Sequence, residues 1–126
     1  MFMSGLKIVV GYDGTEAAGR ALDRAAELAG SGSILTVVSV AHAPGDLDHS
    51  RQLLLEASDR LLLHHTFCTI DERVDDPADE LIAAVQERDA DLLVVGNGKT
   101  RIERALHGSV STRLIHRAPC DVLVAR

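Results

Sequence analysis

Five short apolar runs, separated by stretches with helical periodicity, constrain this chain more than any other feature. LKIVVG (6–11), SILTVVSV (33–40), DLLVVG (91–96) and DVLVA (121–125) are nearly continuous in aliphatic residues and bounded by turn or charged residues. A strand exposed on one face alternates apolar with polar; a run apolar throughout must be covered on both faces. TFCTI (66–70) is a fifth, more polar run, and its polarity predicts a sheet edge.

The intervening segments carry helix signals. Thr15 caps a first helix with Glu16 in its first turn; Ala18, Leu22, Ala25 and Leu28 or Ala29 recur at helical spacing until Gly30 ends it. A second helix, from about residue 50 to 64, carries Leu54, Ala57 or Ser58, Leu61 and Leu62 on one stripe. The third opens with Asp76 as cap, Pro77 at the first helical position and acids at 79 and 80, and turns Leu81, Ile82 and Val85 inward. The last spans about 109–117, with Val110, Leu114 and Ile115 facing the core. Strict strand–helix alternation predicts an α/β fold: a doubly wound, Rossmann-like parallel sheet of five strands with helices on both faces and right-handed crossovers. A length of 126 residues, 46% of them hydrophobic, predicts a single domain over 1–126.

Composition removes several functions. Aromatics make up only 2%, too few for a base-stacking platform on single-stranded nucleic acid, and a net charge of -6 opposes nucleic acid and anionic membranes as partners. The charge is uneven, however. Lys99, Arg101, Arg104, Arg113 and Arg117 face only Glu103 within their span, a local +4 that suits a small anionic ligand or, equally, a solvated helix face. MFMSGLKIVV has no basic region ahead of a sustained apolar segment, and no run is long enough to span a bilayer, so a soluble cytoplasmic protein is expected. Cys68 and Cys120 lack metal-site spacing and read as reduced structural thiols; the histidines form no metal set.

The segment GNGKT (96–100) ends like a phosphate-binding P-loop. That pattern needs a glycine five positions before Gly98, where Leu93 stands inside a strand, so the P-loop reading fails. A different site follows from the fold. Ligands of doubly wound sheets bind beyond the carboxyl ends of the strands, where the winding reverses. With strand order 3-2-1-4-5 the first and fourth strands are neighbours, and Gly11, Asp13, Gly96 and Gly98 rim the crevice between them. Glycines there let backbone approach a ligand or adopt positive φ. Asp13 suits a ribose hydroxyl or a cation, or serves only as an Asx turn before the first helix. Gly108 and Ser109 open the last helix, whose N–H groups and hydroxyl form an anion site, although Ser109 is also an ordinary cap.

From Gly98 to Gly108 there are nine intervening residues, followed by Ser109 and a helix. Together with IVVGYDGTEAAGRALDRAAELA, DPADELIAAVQERDADLLVVG and GSVSTRLIHRAPCDVLVAR, this span resembles the universal stress protein family over essentially the whole chain. The resemblance implies an adenine nucleotide alpha hydrolase-like fold holding ATP, with Mg2+ or Mn2+, adenine near the first two strands and phosphates at the glycine loop. By position it implies Gly11, Tyr12 and Asp13 at the adenine and ribose end and Val40 meeting adenine through its backbone. Gly96, Gly98, Gly108, Ser109 and Val110 would line the phosphates, with Lys99 and Arg101 as charge partners. It also implies a homodimer paired through the C-terminal strand, an edge that otherwise leaves backbone groups unpaired.

One departure bears on the site. Nucleotide-binding members place two residues between the first glycines, whereas only Asn97 separates Gly96 from Gly98. A residue spans about 3.8 Å and a hydrogen bond tolerates only tenths of an ångström, so the shorter loop must present its donors differently. The chain is also short for the family around AHAPGDLDHSRQ, which would expose the adenine end. Two functions are expected from this reading: a nucleotide-binding regulatory protein, with at most slow ATP hydrolysis, or a dimeric interaction module without nucleotide. A phosphoryl-receiver reading fails, because TFCTIDERVDD puts no phospho-accepting Asp at the end of the third strand.

Overall fold

The computed structural model describes residues 5–97 and 110–126. Its strands are β1 (Lys7–Gly11), β2 (Ile34–Ala41), β3 (Thr69–Val74), β4 (Leu92–Gly96) and β5 (Asp121–Ala125). Its helices are α1 (Glu16–Leu28), α2 (Leu47–Leu62), α3 (Pro77–Arg88) and α4 (Val110–Arg117), with a short 3-10 turn at Pro44–Asp46 leading into α2. The sheet is parallel in the order β3-β2-β1-β4-β5, as the alternation and the family resemblance predict.

Two cores sandwich the sheet because successive residues of a strand point to opposite faces. Ile8, Val10, Leu35, Val37 and Val94 pack under Ala21, Leu22 and Ala25 of α1 and Leu54, Ala57 and Leu61 of α2. Val9, Val38, Leu93 and Val95 pack under Leu81, Ile82 and Val85 of α3 and Leu114 of α4. Each fully buried branched side chain stabilises the fold by roughly 1.5–3 kcal/mol relative to exposure. Thr15 Oγ1 accepts from Ala18 N–H at 3.1 Å and Asp76 Oδ2 accepts from Asp79 N–H at 3.0 Å, so both expected caps hold. Two stripe assignments do not. Leu62 and Ile115 are exposed, at 47% and 56%, while Ser50 and Ser111 are buried.

The third strand departs most from expectation. It lies at 69–74, not 66–70, and its sequence TIDERV carries three charges. Ion pairs with the flanking helices replace apolar burial there. Arg73 bridges Asp71 within the strand and reaches Glu80 and Glu87 of α3, Arg88 of α3 reaches Asp71, and Arg51 of α2 reaches Glu72. Glu87 raises the Arg73 guanidinium pKa far above its usual value by hydrogen bonding, against the opposing effect of burial. Cys68 and Cys120 are free thiols just before the two edge strands, β3 and β5. Four strand spacings put those edges roughly 19 Å apart, beyond disulfide reach. Burial is the main cause raising both thiol pKa values, which keeps them protonated and poorly nucleophilic.

Candidate functional site

The sheet opens where its winding reverses. β1 stays paired with β2 as far as Gly11↔Val38, and β4 with β5 as far as Gly96↔Ala125, but β1 and β4 pair only to Val10↔Val94. Beyond that point their carboxyl ends part, and a cleft fills the gap. Gly11, Tyr12, Asp13, Val40, Gly96 and Val110 all line it, so the described residues expected at the site are brought together. Gly98, Lys99, Arg101, Gly108 and Ser109 lie outside the described residues.

Hydrogen-bond direction identifies the backbone groups available in the cleft. Tyr12 N–H donates to Val38 C=O, and Asp75 N–H donates to Ala41 C=O from the β3 side. Alternation therefore aims the N–H and C=O of Val40 toward β1, which has already ended as a strand. They form an open donor and acceptor pair, the arrangement that reads the edge of a planar base. On the other wall, Asn97 N–H donates to Ala125 C=O at 2.8 Å, so Gly96 N–H faces β1 and the cleft, while Asn97 N–H is already engaged.

Glycine at 96 has a structural reason that sequence reading missed. A Cβ there would lie 2.4 Å from Ala17 C, 2.5 Å from Ala18 N and 2.6 Å from Ala17 O. The alanines of the inner face of α1 let the helix settle so close to β4 that no side chain fits beneath it. At Gly11 a Cβ would meet only side-chain ends, Leu81 Cδ1 at 3.1 Å and Val95 Cγ1 at 3.3 Å. Neither glycine has positive φ, so close packing and not backbone freedom explains both.

Asp13 is held by a local turn. Its Oδ1 accepts from Thr15 N–H at 3.1 Å and from Thr15 Oγ1 at 2.7 Å, while Oδ2 has no hydrogen-bond partner among the described residues. The Asx turn is therefore present on one oxygen, and the other is left as an unengaged acceptor among the described residues. Tyr12 points its ring toward the α1 and α2 side, where burial and then Glu56 raise its phenol pKa against the opposing charge of Arg60.

Sequence reasoning missed Thr15, Val38, His42, Pro77, Leu81 and Ser111, which also line the cleft. They come from β2, from the helices and from a loop that only the fold brings together. It also misassigned part of the basic island. Arg113 grips Asp76 through both terminal nitrogens, at 3.2 and 2.7 Å, and Arg117 pairs with Asp79 at 2.9 Å. Those two arginines tie α4 to the head of α3, setting the spacing of two cleft walls. Arg113 hydrogen bonding is the main cause holding the Asp76 carboxyl below its ordinary value of 3.8, although burial opposes it. A depressed folded-state pKa stabilises above the unfolded value and is lost as pH falls through the folded one. Asp76→Asn keeps the capping oxygen and removes the charge, so urea melts should show it less stable than the parent by about 0.5–1 kcal/mol at pH 7. The two should converge as pH falls below 3.8 and through the depressed folded-state value; a gap that does not change with pH would show that the charge contributes nothing.

Among the described residues no group of His, Cys, Asp or Glu is placed to hold a metal, and no helix is long and apolar enough to cross a membrane. An open β1/β4 switch point, backbone groups aimed into it and a carboxylate after β1 define a doubly wound α/β protein with its crevice at the carboxyl ends of the strands. Comparison with known proteins makes this specific: the profile of the Universal stress protein family matches residues 6–126, and the chain belongs to that family. Universal stress protein Rv1636 of Mycobacterium tuberculosis strain H37Rv is 36% identical over 93% of each chain. That alignment runs over 137 positions, more than the 126 residues here, so the relative carries residues this chain lacks. A universal stress protein crystallised in complex with cAMP is 34% identical, with a TM-score of 0.82 over 96% of each chain. The universal stress protein of Archaeoglobus fulgidus in complex with dAMP shares the fold at 24% identity, with a TM-score of 0.80 over 98% of this chain and all of the other.

Proposed function

We propose that this chain is a single-domain universal stress protein, residues 1–126, that binds an adenine nucleotide in the β1/β4 cleft and acts in the cytoplasm as a regulatory stress-response protein. Turnover is at most slow ATP hydrolysis. The observation that carries the reading is the Val40 backbone pair, aimed at a gap that β1 vacates, above an apolar floor and beside the free oxygen of Asp13. An adenine edge takes the Val40 groups, and Asp13 Oδ2 accepts from a ribose hydroxyl. The phosphates lie toward Gly96 N–H, Gly98, Gly108, Ser109 and Val110, with Lys99 and Arg101 as counter-charges. The cAMP complex of the 34% identical relative supports an adenine nucleotide in this family branch. ATP, with Mg2+ or Mn2+ carried on its phosphates, is the fullest version of this ligand. A homodimer through β5, whose outer edge has no neighbour in the sheet, completes the proposal.

A second reading, a dimeric interaction module without nucleotide, has one observation in its favour. Asn97 N–H is spent on Ala125 C=O and so is not free to donate to a phosphate. Calorimetric titration of the purified protein with ATP (with and without magnesium), AMP and cAMP separates the two. Saturable binding of any of them in the micromolar range is expected, and no heat at millimolar ligand would leave only the interaction module.

A further inference from the structure

We infer that His42 is the base-stacking residue of the cleft and so a determinant of nucleotide affinity, an inference that rests on the nucleotide reading above. β2 ends at Ala41, and His42, the next residue, lines the cleft together with Val38 and Val40. That face of the cleft is apolar, built from Val38, Val40, Leu81 and Pro77. Among the described lining residues only Tyr12 and His42 carry aromatic rings, and Tyr12 packs toward the α1 and α2 core instead. His42 is exposed at the mouth of the slot, and its side chain has no hydrogen-bond partner among the described residues. Among the described residues nothing holds this ring by a hydrogen bond, and β1 stops at Gly11, short of it.

A purine bound edge-on to the Val40 backbone lies nearly in the plane of the sheet, as a continuation of β1. Its α3-facing side then rests against Leu81 and Pro77, and the imidazole two residues beyond Val40 closes the open end of that surface. Aliphatic contacts give burial without preference for flat ligands; a ring adds stacking on the face of the base. In a chain with 2% Phe, Trp and Tyr, histidine is the aromatic that remains for this task.

The test is titration of AMP into the wild type, His42→Ala and His42→Phe, with a thermal melt of each protein. His42→Ala should bind AMP about tenfold more weakly, His42→Phe within threefold of wild type, and all three should melt alike. Wild-type affinity in His42→Ala, or an equal loss in His42→Phe, overturns the stacking role while leaving the nucleotide site standing. A wild type that binds no AMP, ATP or cAMP overturns both.

Discussion

Gly96→Ala is expected to destabilise the protein by about 2–3 kcal/mol and to lower its melting temperature by roughly 8–12 °C. The added Cβ would sit 2.4–2.6 Å from three backbone atoms of Ala17 and Ala18. A flexible side-chain end could rotate away from such a contact, but a peptide unit in the first turn of a helix cannot. Relief requires α1 to lift from β4, and the lift also disturbs the packing of Ala21, Leu22 and Ala25 on the central strands. Gly45→Ala is the control, since a Cβ there meets nothing within 4 Å and should leave the melt nearly unchanged. Equal melting temperatures for the two variants would mean that α1 does not approach β4 as closely as described. Because Gly96 also lines the cleft, the same variant should lose nucleotide affinity, but only the melt isolates the packing.

Gly96 also shows what the sequence could and could not convey. That a glycine ends β4 beside the switch point is legible from the apolar run before it and from the family spacing after it. Why it is glycine is not legible, because the atoms that exclude a side chain belong to residues 17 and 18, far away in sequence. Strand order was legible for a comparable reason: alternation and resemblance are local or whole-chain patterns that need no side-chain geometry. β3 was misplaced because its partners are long-range ion pairs. Periodicity detects apolar burial, and a strand anchored by Arg73, Asp71 and Glu72 offers little. Arg113 and Arg117 were counted toward a ligand for the same reason, since Asp76 and Asp79 reach them only across the α3–α4 contact. The residues at the cleft that sequence motifs identified, Gly11, Asp13 and Gly96, end strands or follow them directly. His42 also follows a strand directly but carries no motif; the others missed, Pro77, Leu81 and Ser111, arrive from the helical layers and become neighbours only through folding.

Asp13→Asn should weaken AMP binding by about ten- to a hundred-fold while lowering stability by no more than about 1 kcal/mol. The two halves of that expectation come from the two carboxylate oxygens. Oδ1 accepts from Thr15 N–H and Thr15 Oγ1, and the Thr15 hydroxyl in turn caps α1 at Ala18 N–H. Asparagine retains an oxygen at that position, so the turn and the cap persist, and only the favourable interaction of a negative charge with the helix N-terminus is lost, about 0.3–1 kcal/mol at most when exposed. Oδ2 is the group that ribose would use. A hydrogen bond to an ionised acceptor contributes about 1.5–3 kcal/mol, and an amide nitrogen in its place donates where the hydroxyl also must donate. Asp13→Ala gives the contrasting case: it removes the Thr15 acceptor as well, so melting temperature and affinity should fall together. Calorimetry with AMP and a thermal melt on both variants distinguish the roles. Wild-type affinity in Asp13→Asn would assign Asp13 to the turn alone and place the ribose elsewhere in the cleft. Loss of affinity at constant stability would make the carboxylate a ligand group carried on a turn that the fold already requires.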